Sequence, residues 1–165
     1  MTRSFRCRIT KPVELIGLIS DTHGLVRPEV LEALRGVDLI IHAGDIGKVE
    51  VLDALKPIAP LHAIKGNNDR GAWARHLSDT KFVTAGGMKL FLIHDVNDLA
   101  LNPSERGISA VISGHSHKPS IIERDGVLFV NPGSAGPRRF KLPVAVGKLR
   151  VANGKLKAEI IELDI

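Results

Sequence analysis

Seven polar side chains in this sequence have the types expected of a divalent-metal site. Each lies where a short apolar run stops. Two are aspartates, one is an asparagine and four are histidines, namely Asp21, His23, Asp45, Asn67, His94, His115 and His117. Carboxylate, amide oxygen and imidazole without thiolate favour Mn, Fe, Co, Ni or Zn over Mg or Ca. This set is too large for one tetrahedral ion, so it suits two ions that share a bridging carboxylate.

The chemistry that such a pair of ions supports is hydrolysis of a P–O bond. Two ions about 3.5–4 Å apart form a clamp that many hydrolases place on phosphate esters. With Asp21 and Asp45 as the only anionic ligands, the site stays positive, so it attracts a phosphate and holds a bridging hydroxide. Such a hydroxide would attack phosphorus in line without a side-chain base, and bound ions would stabilise the phosphoryl oxygens. We expect two ions per chain, with Mn as the first choice.

The spacing of these residues indicates that successive strands carry them. Five positions from Asp21 to His115 follow one another at intervals of 21 to 27 residues, which fits one strand and its return connection. In open α/β sheets, ligands bind beyond the carboxyl ends of the strands. We therefore expect the polar strand ends to meet in one crevice.

The strand predicted over residues 13–19 introduces the first two of these side chains. Its aliphatic residues are typical of a buried strand, and the segment from Ser20 to Gly24 ends it. In extended backbone, residues two apart point to the same side. We therefore expect Asp21 and His23 to converge on one point.

Apolar periodicity predicts one α/β domain over residues 1–165, built from two packed sheets with few helices outside. The first half alternates strand and helix and should form a mostly parallel sheet, whereas strand follows strand after residue 80. Residues 1–11 should be loosely ordered, and residues 70–80 should form a polar connection. The predicted helices are 28–35 and 48–55. Besides the strand at 13–19, the predicted strands are 37–42, 61–64, 81–84, 88–93, 108–112, 121–122, 127–130, 144–151 and 156–163.

Composition limits the other classes of function. No apolar run approaches the ~20 residues of a membrane span, and the N-terminus lacks the apolar core of a signal peptide. Cys7 is the only cysteine, which fits a reducing cytoplasm. The net charge of +5 is spread along a chain with no tyrosine and one tryptophan, Trp73. Without clustered cations beside stacking aromatics, the sequence disfavours nucleic acid as a partner.

The polar motifs together resemble those of the calcineurin-like metallophosphoesterase superfamily, and most closely its small YfcE-type phosphodiesterases. The resemblance runs from about Ile16 to about Ser134. It is carried by Asp21-Thr22-His23, Gly44-Asp45, Gly66-Asn67-Asn68-Asp69, His94 and Gly114-His115-Ser116-His117.

The resemblance implies a β-sandwich flanked by helices and a role for each matching residue. The first metal would be held by Asp21, His23, Asp45 and His117. Asp45 would bridge the two ions, and the second metal would be completed by Asn67, His94 and His115.

Two departures from the family pattern concern the substrate. Asn68 stands where a histidine is usual near the leaving group, and Asp95 follows His94 where small relatives often have Gly-His. Because an amide delivers no proton near pH 7, we predict that Asn68 favours phosphodiesters over monoesters. The alternative is that Asn68 only shapes its loop. Asp69 should orient a ligand or a loop.

The resulting hypothesis is a metal-dependent phosphodiesterase that acts on a small phosphoester. One alternative is a non-catalytic scaffold, like the retromer subunit that shares the fold, and another is a nuclease. A homo-oligomer is compatible with the sequence. The remaining histidines, His42, His62 and His76, are interpreted as structural.

Overall fold

The computed structural model describes residues 12–165, so Cys7 and the predicted loose N-terminus lie outside the described residues. The described part contains ten strands and two α-helices. The helices are α1 (Pro28–Ala33) and α2 (Val49–Leu55). The strands are β1 (Leu15–Ile19), β2 (Leu39–His42), β3 (Leu61–Ala63), β4 (Thr80–Ala85), β5 (Met88–Ile93), β6 (Ala110–Ile112), β7 (Ser120–Arg124), β8 (Val127–Asn131), β9 (Ala145–Ala152) and β10 (Lys155–Glu162).

The first sheet has the strand order β10-β9-β1-β2-β3. Strands β1, β2 and β3 are parallel, with Ile16 opposite Leu39 and Ile40 opposite Leu61. Strands β9 and β10 add an antiparallel hairpin along the free edge of β1. The sequence prediction of a mostly parallel first half is therefore confirmed for β1 to β3.

The second sheet has the order β4-β5-β6-β8-β7. Its centre, β5-β6-β8, is parallel, and β4 and β7 are antiparallel edges. The carboxyl ends of β5 and β6 therefore lie on the same edge of this sheet.

Three apolar clusters cover the faces of the two sheets. The cluster between the sheets includes Ile16 and Leu18 of β1 and Leu90 and Leu92 of β5. Both helices pack on the outer face of the first sheet. A third cluster on the second sheet is covered by the segment 95–108, which contains two short 3₁₀ turns and no α-helix. The predicted two-sheet α/β architecture is confirmed, although the α-helices flank one sheet only.

Several boundaries differ from the prediction. Strand β2 begins at Leu39 instead of residue 37, and the Asp38 carboxylate accepts hydrogen bonds from Glu14 N and Leu15 N, at 3.0 and 2.9 Å. Strand β6 begins at Ala110, because the Ile108 N–H donates to Pro103 within a turn. Within residues 12–165, no helix has the length and apolar character that a bilayer-spanning segment needs.

Candidate metal centre

The predicted ligands follow the carboxyl ends of strands from both sheets. Asp21 and His23 follow β1, Asp45 follows β2, and Asn67 follows β3, all in the first sheet. In the second sheet His94 directly follows β5, whereas His115 and His117 follow β6.

Backbone hydrogen bonds join these strand ends within each sheet. The N–H groups of Asp21 and His23 donate to Gly44 and Asp45, each at 3.0 Å. In the second sheet, Gly114 N–H donates to the His94 carbonyl at 2.9 Å.

Five of the predicted ligands have left-handed backbone conformations. The φ angles are 55° at Asp21, 46° at His23, 55° at Asp45, 72° at His115 and 62° at His117. Such conformations are costly for residues with a side chain and cluster at functional sites. Asp21 and His23 do lie in one group of possible ligands, as expected, but the predicted route through extended backbone is wrong, because both residues have left the strand conformation.

Glycines at two positions make room for this packing. A Cβ on Gly66 would collide with Asp45, and a Cβ on Gly114 would collide with Ser20 and Asp21. The polar strand ends can approach one another because these two positions lack side chains.

The structure brings six of the predicted ligands into two groups. Asp21, His23 and His117 form one group, and Asp45, His94 and His115 form the other. In each group the three ligand atoms lie within 4.8 Å of one another. Asn67 is exposed and lines a groove shared with His94 and His115.

The two carboxylates lie between the groups. Asp45 Oδ2 is 3.3 Å from His94 Nε2 in its own group and 3.8 Å from His23 Nε2 in the other. Asp21 Oδ1 is 3.5 Å from His117 Nε2 and 3.9 Å from His94 Nε2. Both aspartates therefore approach histidines of both groups.

The orientation of His94 is fixed by the first sheet. Its Nδ1 lies 2.8 Å from the carbonyl oxygen of Ala43 and donates to it. Nε2 is thereby directed at Asp45. Metal-binding histidines are commonly held in this way, with the second ring nitrogen bonded to a carbonyl.

Two further residues hold the carboxylate of Asp21. Ser20 Oγ and the backbone N–H of His115 donate to Oδ2, at 2.8 and 3.0 Å. Asp21 Oδ1 and His94 Nε2 are buried without a hydrogen-bond partner among the described residues. Unpartnered buried polar atoms are costly, and these two are directed at the space between the groups. The nitrogen and oxygen donors therefore fit divalent ions, as predicted from their types.

Asn68 and Asp69 hold the segments around Asp45. Asn68 donates its backbone N–H to Asp45 Oδ1 and its side-chain Nδ2–H to Oδ2, at 2.9 and 3.1 Å. Buried Asp69 accepts from three backbone N–H groups, those of Ile46, Gly47 and Gly66, at 2.9–3.1 Å. Asp69 thus joins the segment after β2 to the segment after β3.

Burial and neighbouring charges shift the pKa values in opposite directions. Burial raises the pKa of Asp21, against the hydrogen bond from Ser20. Burial acts the same way on Asp45, but the adjacent His94 imidazole and the backbone hydrogen bond from Asn68 outweigh it and lower its pKa. Burial opposes protonation of His94, yet the adjacent Asp45 carboxylate and the hydrogen bond to the Ala43 carbonyl raise its pKa to about 8.

The other buried histidines are neutral at pH 7. Burial, aided by the cationic Arg139, lowers the pKa of His117 to about 4. Burial also lowers the pKa of His42 to about 3. Thr22 Oγ1 donates to the Ile46 carbonyl, so His42 Nε2 donates to Thr22 and its Nδ1 accepts from Gly44 N. Both ring nitrogens of His42 are therefore used in hydrogen bonds within the fold, which agrees with the structural role interpreted from the sequence.

Residues outside the predicted ligand set also contact the site. Ser20 holds Asp21, and Asp95 Oδ2 lies 3.6 Å from His115 Nε2. Asn131 donates to Gly114 O and Ser116 Oγ, at 2.9 and 3.0 Å. Ser20 and Asp95 adjoin predicted ligands in sequence, which was the available signal. For the segment Asn131-Pro132-Gly133 the sequence left open a tight turn or, by the family resemblance, a loop near the site, and the β6–β8 pairing brings Asn131 there.

Comparison with known proteins decides the family. Residues 15–154 match the calcineurin-like phosphoesterase superfamily domain. The chain belongs to this superfamily. A probable metallophosphoesterase of Methanothermobacter thermautotrophicus is 37% identical over 159 residues, covering 89% of this chain and 91% of that protein. The resemblance seen in the sequence motifs is confirmed, and the chain is a phosphoesterase-family protein with a site suited to divalent metals.

Solved structures of the same fold include both enzymes and Vps29. An archaeal phosphodiesterase is 24% identical, covers 89% of this chain and 99% of its own, and has a TM-score of 0.69. The phosphoesterase YfcE of E. coli is 24% identical with a TM-score of 0.65, covering 82% and 87%. Vps29 of Entamoeba histolytica, complexed with Zn²⁺, is 25% identical with a TM-score of 0.68, covering 90% and 98%. At these identities the first two show the fold alone.

Proposed function

We propose that this calcineurin-like phosphoesterase is a phosphodiesterase that uses two divalent ions, with Mn as the expected metal. The observation that carries the proposal is the pair of Asp/His groups joined by Asp45, which approaches histidines of both. Bound ions would supply an activated water near neutral pH and positive charge for the phosphoryl oxygens.

The residues of the chain supply orientation and charge. The Ala43 carbonyl fixes His94, and Asn68 holds both oxygens of Asp45. Ser20 and the His115 N–H hold Asp21. Such bonds set ligand geometry before metal arrives and strengthen binding. In this proposal Asn68 and Asp69 are positioning residues.

Two grooves that meet at the site support a diester substrate. One has a volume of about 460 Å³ and includes Lys65 and Asn67. The other has a volume of about 770 Å³ and extends over β7 and β8. Both are lined by Asp95 and His115. A phosphodiester has two ester groups, and the two grooves offer each group a separate place.

The experiment is a metal-reconstituted assay. The protein is stripped with a chelator, reloaded with Mn, Zn, Co or Ni, and assayed with bis-p-nitrophenyl phosphate and p-nitrophenyl phosphate. We expect metal-dependent turnover, with the diester preferred. Metal binding without turnover of any phosphoester would contradict the proposal.

The alternative of a non-catalytic scaffold draws support from the likeness to Vps29. The assay separates the two functions, because a scaffold retains metal binding without turnover. A cytoplasmic location and a homo-oligomer stay predictions from the sequence.

A further inference from the structure

The larger groove extends well beyond the candidate metal ligands. It begins at Asp95, His115 and Ser116 and continues across the outer face of β7 and β8. The segment 95–104 forms its other wall. Its volume of about 770 Å³ is within the range of sites for drug-sized molecules. We call it the β7–β8 groove.

The floor of this groove changes character along its length. In antiparallel register, the three residue pairs on this face are Ser120 with Asn131, Ile122 with Phe129, and Arg124 with Val127. Successive pairs are about 6.6 Å apart, because alternate residues share a face of a strand. The floor is therefore polar at one end, apolar in the middle and cationic at the far end.

The polar end is attached to the metal centre. Asn131 is buried, and its Nδ2 donates to Gly114 O and Ser116 Oγ on either side of His115. A substrate group that extends from the metal centre along the groove would pass the polar pair of Ser120 and Asn131 first. It would reach the apolar pair of Ile122 and Phe129 next.

The middle of the groove offers an aromatic and aliphatic surface. Ile122 is 49% exposed, and the half-buried ring of Phe129 lies beside it. The guanidinium carbon of Arg124 is 5.7 Å from the centroid of the Phe129 ring. A planar cation over an aromatic ring is a surface on which nucleobases stack.

Polar groups border this apolar surface on the opposite wall. Asn97, Asn102 and Ser104 lie there beside Leu99 and Leu101. Ser104 Oγ already donates to Asn102 Oδ1, at 2.8 Å. An alkyl chain would leave the amide NH₂ groups of Asn97 and Asn102 unpaired if it covered them, whereas the polar edge of a heteroaromatic ring would accept hydrogen bonds from them.

We infer that the β7–β8 groove binds the second ester group of the substrate and that this group is a nucleoside. The inference rests on the proposed phosphodiesterase function and names its substrate class. Ile122 and Phe129 contact the base, and Arg124 stacks on it at the far end of the groove.

Two probes with one leaving group test this inference. Thymidine 5′-(p-nitrophenyl phosphate) and methyl p-nitrophenyl phosphate both release p-nitrophenolate and differ only in the second ester group. For the Mn-loaded protein we expect kcat/KM to favour the thymidine probe by about tenfold or more, the scale of an apolar pocket contact. Ile122→Ser should reduce this preference severalfold.

The matched control is Ile121→Ser. Ile121 adjoins Ile122 in β7, is 41% exposed and points to the opposite face. The Ile121→Ser variant should prefer the thymidine probe as strongly as the parent protein does. A parent without preference, or equal preferences in both variants, would overturn the inference while leaving the phosphodiesterase function intact. A hexyl p-nitrophenyl phosphate probe that outperforms the thymidine probe would also overturn it.

A binding measurement covers the case in which neither probe is hydrolysed. Absence of hydrolysis of both probes would contradict the proposed phosphodiesterase function. Calorimetric titration of the Mn-loaded protein with thymidine 5′-monophosphate then decides the inference. Binding weakened severalfold by Ile122→Ser, and unchanged in Ile121→Ser, would support a nucleoside groove. Absence of binding, or equal affinity in both variants, would refute it.

Discussion

Asn68 holds the carboxylate of Asp45 at both oxygens. The backbone N–H of Asn68 lies 2.9 Å from Oδ1, and its side-chain Nδ2 lies 3.1 Å from Oδ2. The Asn68 side chain is therefore within reach of the metal centre, and it donates a hydrogen bond there without carrying a charge.

The first prediction concerns this residue and the choice of ester. The parent protein should hydrolyse aryl diesters faster than aryl monoesters, because Asn68 supplies no proton to the leaving group. Asn68→His should gain monoesterase activity, since general acid catalysis is worth about 100-fold or more. The measurement is the ratio of the two turnover rates. Asn68→Ala is the control, because it loses the hydrogen bond without adding an acid. An unchanged ratio in Asn68→His, or a parent that prefers monoesters, would show that Asn68 does not set the preference.

The second prediction concerns metal stoichiometry. Two Asp/His groups predict two Mn ions per chain under saturating conditions. His117→Ala should reduce occupancy mainly at the group of Asp21 and His23. Asn67→Ala should act mainly on the group of His94. Metal analysis after gel filtration measures the occupancy, and at most one ion in the saturated parent would exclude the dinuclear site.

The third prediction concerns the shared carboxylate. Asp45→Asn should lower turnover by about 100-fold or more, because the amide loses the charge that faces histidines of both groups. Steady-state assays check this, with circular dichroism to confirm folding. Asp53→Asn on α2 is the control, since Asp53 is exposed and pairs with Lys56. Near-normal turnover of folded Asp45→Asn would refute a bridging role.

The fourth prediction is that metal affinity rises with pH up to about 8. The pKa of His94 is raised to about 8, so metal-free protein binds a proton there at pH 7, and an incoming ion must displace it. Below that pH, affinity at this group should rise by up to about tenfold per pH unit. Titrations between about pH 6 and pH 9, and calorimetry in two buffers, measure the proton release.

The stability of metal-free protein should show the opposite trend. A raised histidine pKa stabilises the folded state below the unfolded pKa of about 6.5, and this contribution is lost as pH rises towards 8. His94→Ala should abolish both effects. Affinity in the parent that does not depend on pH would contradict the assignment of His94.

The fifth prediction separates a structural from a chemical role for Asp69. Asp69→Asn replaces one acceptor oxygen with an NH₂ group against backbone N–H donors, so we expect it to destabilise the protein by about 1–3 kcal/mol. Urea unfolding of metal-free protein measures this loss, with Asp53→Asn as the control. Lost activity with an unchanged unfolding midpoint would instead place Asp69 in the chemistry.

The sequence by itself determined the order and chemical types of the candidate ligands. Apolar runs end at Asp21, Asp45 and His94 because a buried strand must leave the core where polar residues begin. The same runs also located most strands to within a few residues. These are local signals, so they can be read without the fold.

Only the tertiary structure decided how the ligands converge. The left-handed conformations of Asp21 and His23 accompany hydrogen bonds between neighbouring strand ends, which no local pattern encodes. The bond from His94 to the Ala43 carbonyl connects the two sheets across 51 residues of chain. The β7–β8 groove likewise requires the segment 95–104 to lie against strands that follow it in sequence. Contacts between distant segments arise from packing, and periodicity describes only the element in which a residue lies.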